Sequence, residues 1–242
     1  MSDTDVVGEI GRCETHGEFR RVFVAGRWIG RCDNCIADER ARRAESDRAI
    51  QRAQRLFSLT VAAAIPARFS GRGFADYRPR TPKQAAALEA CRRYVADLET
   101  NVHAGTCLVL TGPVGVGKTH LLAAIVQAAV EQLVPARYAT MADALAAFGG
   151  DWSRRGDERG PEFTRPHLLA LDEVARPSWD SERAALVALV DARYRECRPT
   201  LLASNLTWRE LNIELGERLA DRLLENGGQV LALDGTSARG RQ

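Results

Sequence analysis

Five short runs in this chain are apolar at consecutive rather than alternate positions: TCLVLTG (106–112), ARYATM (136–141), HLLALDE (167–173), PTLLASN (199–205) and GQVLALDG (228–235). A strand that is apolar on both faces must be covered on both faces, so these runs predict the buried strands of a largely parallel sheet. Stretches of helical periodicity lie between them, and the alternation predicts an α/β domain over residues 81–242. The texture differs upstream. Residues 37–60, ADERARRAESDRAIQRAQRLFSLT, interleave Glu, Asp and Arg and predict a solvated helix supported by i,i+4 pairs. Residues 61–80 carry proline and glycine breaks and read as a linker, making 37–80 a helix and linker. Residues 1–36 hold cysteine, glycine and aromatics in short alternating runs and read as a small module of their own.

Composition narrows this picture modestly. With 242 residues, 45% hydrophobic and 27% charged, the chain has room for one full core and a smaller appendage. No apolar run is long enough to span a bilayer, and the start, MSDTDVVGEI, is too acidic and polar for a secretory leader, so a cytoplasmic protein without membrane association is expected. A net charge of +2 means that any contact with nucleic acid must come from local patches. Lys83 and Lys118 are the only lysines beside 32 arginines, so lysine stands where arginine is a poor substitute.

Lys118 belongs to GPVGVGKTH, residues 112–120, which matches G-x-x-x-x-G-K-[ST] in full between a strand-like run and the apolar helical stretch LLAAIVQAAVEQL. Residues Gly112, Pro113, Val114, Gly115, Val116 and Gly117 would turn their backbone N–H groups onto phosphate oxygens. Lys118 would place an ammonium on the β- and γ-phosphates, Thr119 would offer a hydroxyl to Mg²⁺, and His120 closes the motif. LLALDE then ends an apolar strand in Asp172 and Glu173, at the edge where ligands bind in such sheets. Asp172 is the candidate Mg²⁺ holder, and Glu173 the candidate base for an attacking water. LLASNL ends the next strand in Asn205, a candidate hydrogen-bond partner for the γ-phosphate or the water. ATP hydrolysis is the expected chemistry. A small-molecule kinase shares the loop, but the paired acids weigh against it. A binding scaffold using ATP only as a conformational switch is a third reading, which turnover that collapses on Glu173→Gln would rule out.

The first 36 residues contain CETH and GRCDNC. Together they give C-x₂-H-x₁₅-C-x₂-C, with Cys13, His16, Cys32 and Cys35 as a Cys₃His set of structural zinc spacing. A redox C-x-x-C would leave Cys13 and His16 unexplained. Two short strands around Ala25–Gly26 are expected to carry a ligand pair at each end, as in a zinc ribbon. Four ligands leave no open position, so the module should bind a partner rather than catalyse. Arg20, Arg21, Arg27, Arg31 and Trp28 also combine cations with a stacking surface. Cys91, Cys107 and Cys197 read as buried thiols.

GPVGVGKTH, LLALDE, ASN and the later GERLADRL, in this order and spacing, resemble the DnaC-type helicase loaders and the related IstB-type transposition helper ATPases of the AAA+ class, over roughly residues 60–242. IPARFSGRGF resembles the segment that leads into that domain. The resemblance implies a P-loop AAA+ domain with a parallel sheet flanked by helices, preceded by the zinc-ribbon-like module and helix. It makes Arg222, with Arg218 close behind, the match to an arginine finger that reaches a neighbouring subunit's ATP, and Arg239 the match to a sensor arginine. It implies a homo-oligomer, single-stranded DNA engaged by the AAA+ assembly, and a replicative DNA helicase gripped by the amino-terminal region. The transposition alternative would substitute double-stranded DNA and a transposase. The few residues after Arg239 leave no room for a full carboxy-terminal lid or helix-turn-helix, so a loader or helper is expected rather than a sequence-reading initiator. Within 149–160, Trp152 beside Arg154 and Arg155 is a further candidate contact for single-stranded DNA.

Overall fold

Residues 8–24, 27–148 and 160–237 are described by a computed structural model in which the chain divides into two units, Met1–Arg55 and Leu56–Gln242. The expected contacts of Trp152, Arg154 and Arg155, and the sensor role of Arg239, lie outside the described residues.

The first unit is a three-stranded antiparallel meander: β1 (Gly8–Cys13), β2 (Gly17–Val24) and β3 (Arg27–Ile29). The strands expected around Ala25–Gly26 are β2 and β3, with Phe23 opposite Trp28. β1 is an additional strand that runs into the first ligand pair. Cys13 ends it, paired with Gly17, whose φ of +80° lets the chain reverse at once. A helix, α1 (Asp33–Ala63), follows and runs through the boundary between the units. It begins four residues earlier than the charge pattern alone suggests. The Ile36 amide bonds to the Cys32 carbonyl at 3.0 Å and Asp33 sits in the first turn, where a helix favours negative charge. It also continues further than expected, through VAA, until Ala64 turns to φ +51° ahead of Pro66. Of the residues in α1, only Ala63 is buried.

In the second unit, α2 (Pro82–Ala96) starts at Thr81, whose hydroxyl accepts the Gln84 amide, with proline at the first helical position. Then come α3 (Leu98–Ala104), β4 (Leu108–Thr111), α4 (Lys118–Glu131), β5 (Ala136–Thr140), α5 (Met141–Phe148), α6 (Pro161–Thr164) and β6 (Leu168–Val174). They are followed by α7 (Asp180–Arg195), β7 (Thr200–Ser204), α8 (Trp208–Leu215), α9 (Glu217–Leu224) and β8 (Gln229–Ala232). The five apolar runs supply β4 to β8, which pair in parallel in the order β5-β6-β7-β4-β8. Successive residues of β4 face opposite ways. Leu108 and Leu110 join a core with Leu121, Leu122 and Ile125 of α4, whereas Val109 joins another with Leu186 and Leu189 of α7. Each strand is therefore apolar throughout because helices cover both sides of the sheet. β4 lies between β7 and β8, so the loop after it opens at the carboxyl edge beside the ends of β6 and β7, where such sheets bind ligands.

Candidate nucleotide site and metal centre

Thr111 ends β4 and the chain turns tightly into α4. Gly112 and Gly117 hold φ values of +141° and +96°. A β-carbon at Gly117 would lie 2.4 Å from the Tyr77 ring, and one at Gly112 would lie 2.2 Å from the Leu233 carbonyl oxygen. Only glycine permits both the dihedral and the close approach. The first helical residue is Lys118, which is buried. Its Nζ donates to the carbonyls of Gly112 (2.6 Å) and Pro113 (2.8 Å) and to Asn205 Oδ1 (2.8 Å). The loop lysine and Asn205, the residue that follows β7, are thus in direct contact.

Asp172 is 3% exposed at the end of β6, and both of its oxygens are engaged. Oδ2 accepts the Tyr138 hydroxyl at 2.6 Å and Oδ1 accepts the Glu173 amide at 2.8 Å. Burial, together with that bond to Asp172, pushes the Tyr138 phenol well above its usual range, so tyrosine is the donor. Each carboxylate oxygen keeps a second lone pair. Tyr138 was not identifiable from the sequence, where it is one apolar-facing position of β5. Glu173 is exposed, with φ +56°, at a point where the β6–β7 register slips between Leu171 and Val174. The slip turns this side chain out of the sheet toward the loop. Ser204 Oγ fixes the neighbouring strand end by donating to the Val174 carbonyl at 2.5 Å.

Residues 66–80, read from the sequence as a linker, supply a wall of the same site. The Tyr77 hydroxyl donates to the Val116 carbonyl at 2.9 Å, and burial pushes its pKa up to about 12. The Tyr77 ring stands edge-on to His120 at 5.5 Å, and His120 Nε2 meets the Gly73 carbonyl oxygen at 3.0 Å. A cavity of about 260 Å³ lies between this segment and the loop, with Gly115, Lys118, Thr119, Asp172, Glu173 and Asn205 on its walls. A second, of about 550 Å³, shares Thr119, Asp172 and Glu173 with it and extends along the ends of β5 and α5. The chain therefore brings Gly112–Thr119, Asp172, Glu173 and Asn205 to one place.

Arg222 lies elsewhere. It is on α9, largely buried, paired with Asp191 of α7 and packed over the Tyr194 ring at 4.9 Å. It borders a cavity with Cys107 and Thr200, near where β4 and β7 begin, at the opposite edge of the sheet from the phosphate loop. Arg218 is 77% exposed and approaches the same Asp191 at 3.7 Å. Of the three remaining thiols, Cys91 and Cys107 are buried as expected. Cys197 is exposed, because it sits in the turn after α7 at φ +50° rather than within an element.

In the first unit, the turn after β1 and the start of α1 bring together Cys13, His16, Cys32 and Cys35, whose ligand atoms all lie within 4.8 Å of one another. Sulfur–sulfur separation for Cys13 and Cys35 is 3.4 Å, and His16 Nδ1 lies 3.2 to 3.8 Å from the three sulfurs. Three soft sulfurs and one imidazole nitrogen at these spacings fit a tetrahedral zinc ion. The other ring nitrogen of His16 meets Asp38 Oδ2 at 3.0 Å, leaving Nδ1 facing the sulfurs, as metal-ligating histidines are commonly oriented. Backbone amides of His16 and Thr15 lower the Cys13 thiol to about 6, toward the thiolate that a metal requires. Arg31, one of the candidate cations of this module, is taken up by Glu39 at 2.7 Å.

Comparison with known proteins agrees with this geometry. A protein named for ATP binding in an insertion sequence of Mycobacterium tuberculosis is 36% identical over 146 residues, covering 57% of this chain and 58% of that protein. The replicative helicase loader DnaC of Escherichia coli is 28% identical over 154 residues, covering 62% of each. The matched stretch therefore spans only about three fifths of these relatives' own length. Among solved structures, the DnaC helicase loader is 23% identical with a TM-score of 0.58, covering 69% of this chain and 99% of that one. DnaI is 21% identical with a TM-score of 0.58, covering 73% and 95%. Both show the same fold, an AAA+ arrangement of parallel sheet and flanking helices. The family model described as IstB-like ATP binding protein matches residues 33–242, the whole extent of the sheet, the phosphate loop and the paired acids; the chain belongs to that family.

Proposed function

We propose that this protein is an ATP-hydrolysing loader that delivers a replicative DNA helicase onto single-stranded DNA. The observation that carries the hydrolytic part is the convergence of Lys118, Asp172, Glu173 and Asn205 on one cavity. The loop amides and Lys118 bind the phosphates, and Thr119 and Asp172 hold a magnesium ion, which would neutralise β- and γ-phosphate charge. Glu173, exposed beside Asp172, orients and deprotonates the attacking water, and Asn205 fixes the water or the γ-phosphate. Arg222 of an adjacent subunit is the proposed source of further positive charge, which ties turnover to assembly. The Cys₃His cluster binds zinc as a structural ion, and the small module it holds together is the proposed grip on the helicase.

A second reading, a transposition helper acting with a transposase on double-stranded DNA, is favoured by the 36% identity to the insertion-sequence protein. Phosphate release by the purified chain, with Glu173→Gln beside it, tests the chemistry. Turnover should fall at least about 100-fold in the variant with ATP affinity preserved, and equal turnover would remove Glu173 from the mechanism. Capture of a replicative helicase, in competition with a transposase, and strand preference on single- versus double-stranded oligonucleotides separate the two readings.

A further inference from the structure

Between α1 and α2 the chain makes a run of tight turns, and on it the guanidinium groups of two exposed arginines, Arg68 and Arg72, have neither a hydrogen bond nor an ion pair among the described residues. Both line the cavity that holds Lys118, Thr119, Asp172 and Glu173. The turns are fixed internally by bonds from the Phe69 amide to the Pro66 carbonyl (2.8 Å) and from the Arg72 amide to the Phe69 carbonyl (3.0 Å). They are also fastened to α4 at two points. The Gly71 amide donates to Gln127 Oε1 at 3.1 Å, and His120 meets the Gly73 carbonyl at 3.0 Å. His120 and Gln127 are seven residues apart, on one face of the helix whose amino end forms the phosphate loop. Phe69 borders both carboxyl-edge cavities, beside Asp172 and Glu173. The backbone that carries the two arginines is thus held in fixed relation to the loop.

Charge in the cavity makes this placement consequential. Asp172 and Glu173 are two acids facing one lysine, and a bound triphosphate adds several negative charges in the same small volume. A terminal phosphate there is favoured only with further cations close by, and guanidinium groups suit phosphate oxygens. We infer that Arg68 and Arg72 contact the terminal phosphate of ATP bound in their own subunit and make the site prefer triphosphate over diphosphate. This rests on the nucleotide reading above and goes beyond it by assigning a cation source within the chain, distinct from any residue supplied by a neighbour. Nucleic-acid phosphate is the competing ligand. The nucleotide is favoured because both arginines share walls with Lys118 and Thr119.

The test is competition of ATP and ADP against a fluorescent nucleotide in magnesium buffer, for the full chain and for Arg68→Gln, Arg72→Gln and the double variant. Both positions are exposed, and matching melting temperatures will confirm intact folding. Each substitution should weaken ATP about tenfold and ADP less than about threefold, with Arg→Lys recovering part of the loss. Unchanged affinities, or equal losses for both nucleotides, would overturn the assignment while leaving the nucleotide site standing. A wild-type chain that binds neither nucleotide would remove the underlying reading as well. Loss confined to a single-stranded oligonucleotide, with ATP binding intact, would give the arginines to nucleic acid and overturn the proposal.

Discussion

Among the largest fully buried side chains is a charged one, Arg193 of α7. It faces no carboxylate within hydrogen-bonding distance among the described residues. Its guanidinium donates to the carbonyls of Phe163 (2.8 Å), Pro166 (2.9 Å) and Pro199 (2.8 Å), and Nε donates to Thr200 Oγ1 (3.1 Å). Burial presses its pKa down to about 9, still leaving it charged at neutral pH. One side chain thus joins the segment entering β6 to the segment entering β7, the two strands whose far ends carry Asp172 and Asn205. Arg193→Met would strand several buried carbonyls at once, each costing about 1 to 3 kcal/mol. A loss of about 3 kcal/mol or more is expected, and thermal denaturation should show a midpoint lower by roughly 6 to 12 °C. A midpoint within about 2 °C of wild type would show that the clamp adds nothing. Nothing in the sequence marks this residue. It occupies a helical position beside other arginines, and two of the carbonyls it satisfies, those of Phe163 and Pro166, come from residues some thirty positions away.

At the scale of elements, the strands were legible because double-sided burial imposes consecutive apolar residues, a local signature. The loop and its acids were legible because backbone approach to phosphate demands glycine and fixed spacing. The turns at 66–80 were not, since proline and glycine mark only where the chain bends. Their docking depends on distant partners, Gln127, His120 and Val116. The extent of α1 was partly legible. Its charges indicate a helix, but its first turn is set by the cysteines that precede and enter it. That coupling leads to an expectation. The first unit has little core among its described residues: Gly11 and Cys32 are its buried positions. With zinc bound as proposed, metal ligation would supply much of its folding energy. The full chain should carry a zinc ion that a strong chelator or Cys35→Ser removes. Loss of metal should then lower helical circular dichroism and speed proteolysis at the arginines between 40 and 55, with ATP affinity changing by less than about twofold. Metal-free protein with undiminished helix would contradict a structural role.

For the molecule as a whole, the question is whether one subunit completes another. Among the described residues no helix is long and apolar enough to cross a membrane. Arg222 must exchange Asp191 for a neighbour's phosphate if it is to act in trans, whereas Arg218 is already exposed. Turnover per chain should rise with protein concentration, and Arg222→Ala should abolish it while sparing ATP binding. Mixing Arg222→Ala subunits with Lys118→Ala subunits should restore activity, because each supplies what the other lacks. Failure to recover, with both variants folded by melting analysis, would place the arginine's role inside its own chain. Arg218→Ala run in parallel shows which of the two cations crosses the interface.

The backbone at Glu173 carries a further meaning. A residue with a β-carbon held at φ +56° costs on the order of 1 kcal/mol relative to glycine. Glycine would hold that dihedral at no such cost, and the candidate base stands there instead. Two substitutions that both remove the carboxylate would therefore give different molecules. Glutamine would keep the strained turn and lack only the carboxylate proposed as the base, while glycine would relax the turn as well and give a firmer fold. An inactive form meant to trap a partner in its natural geometry should be built on the first.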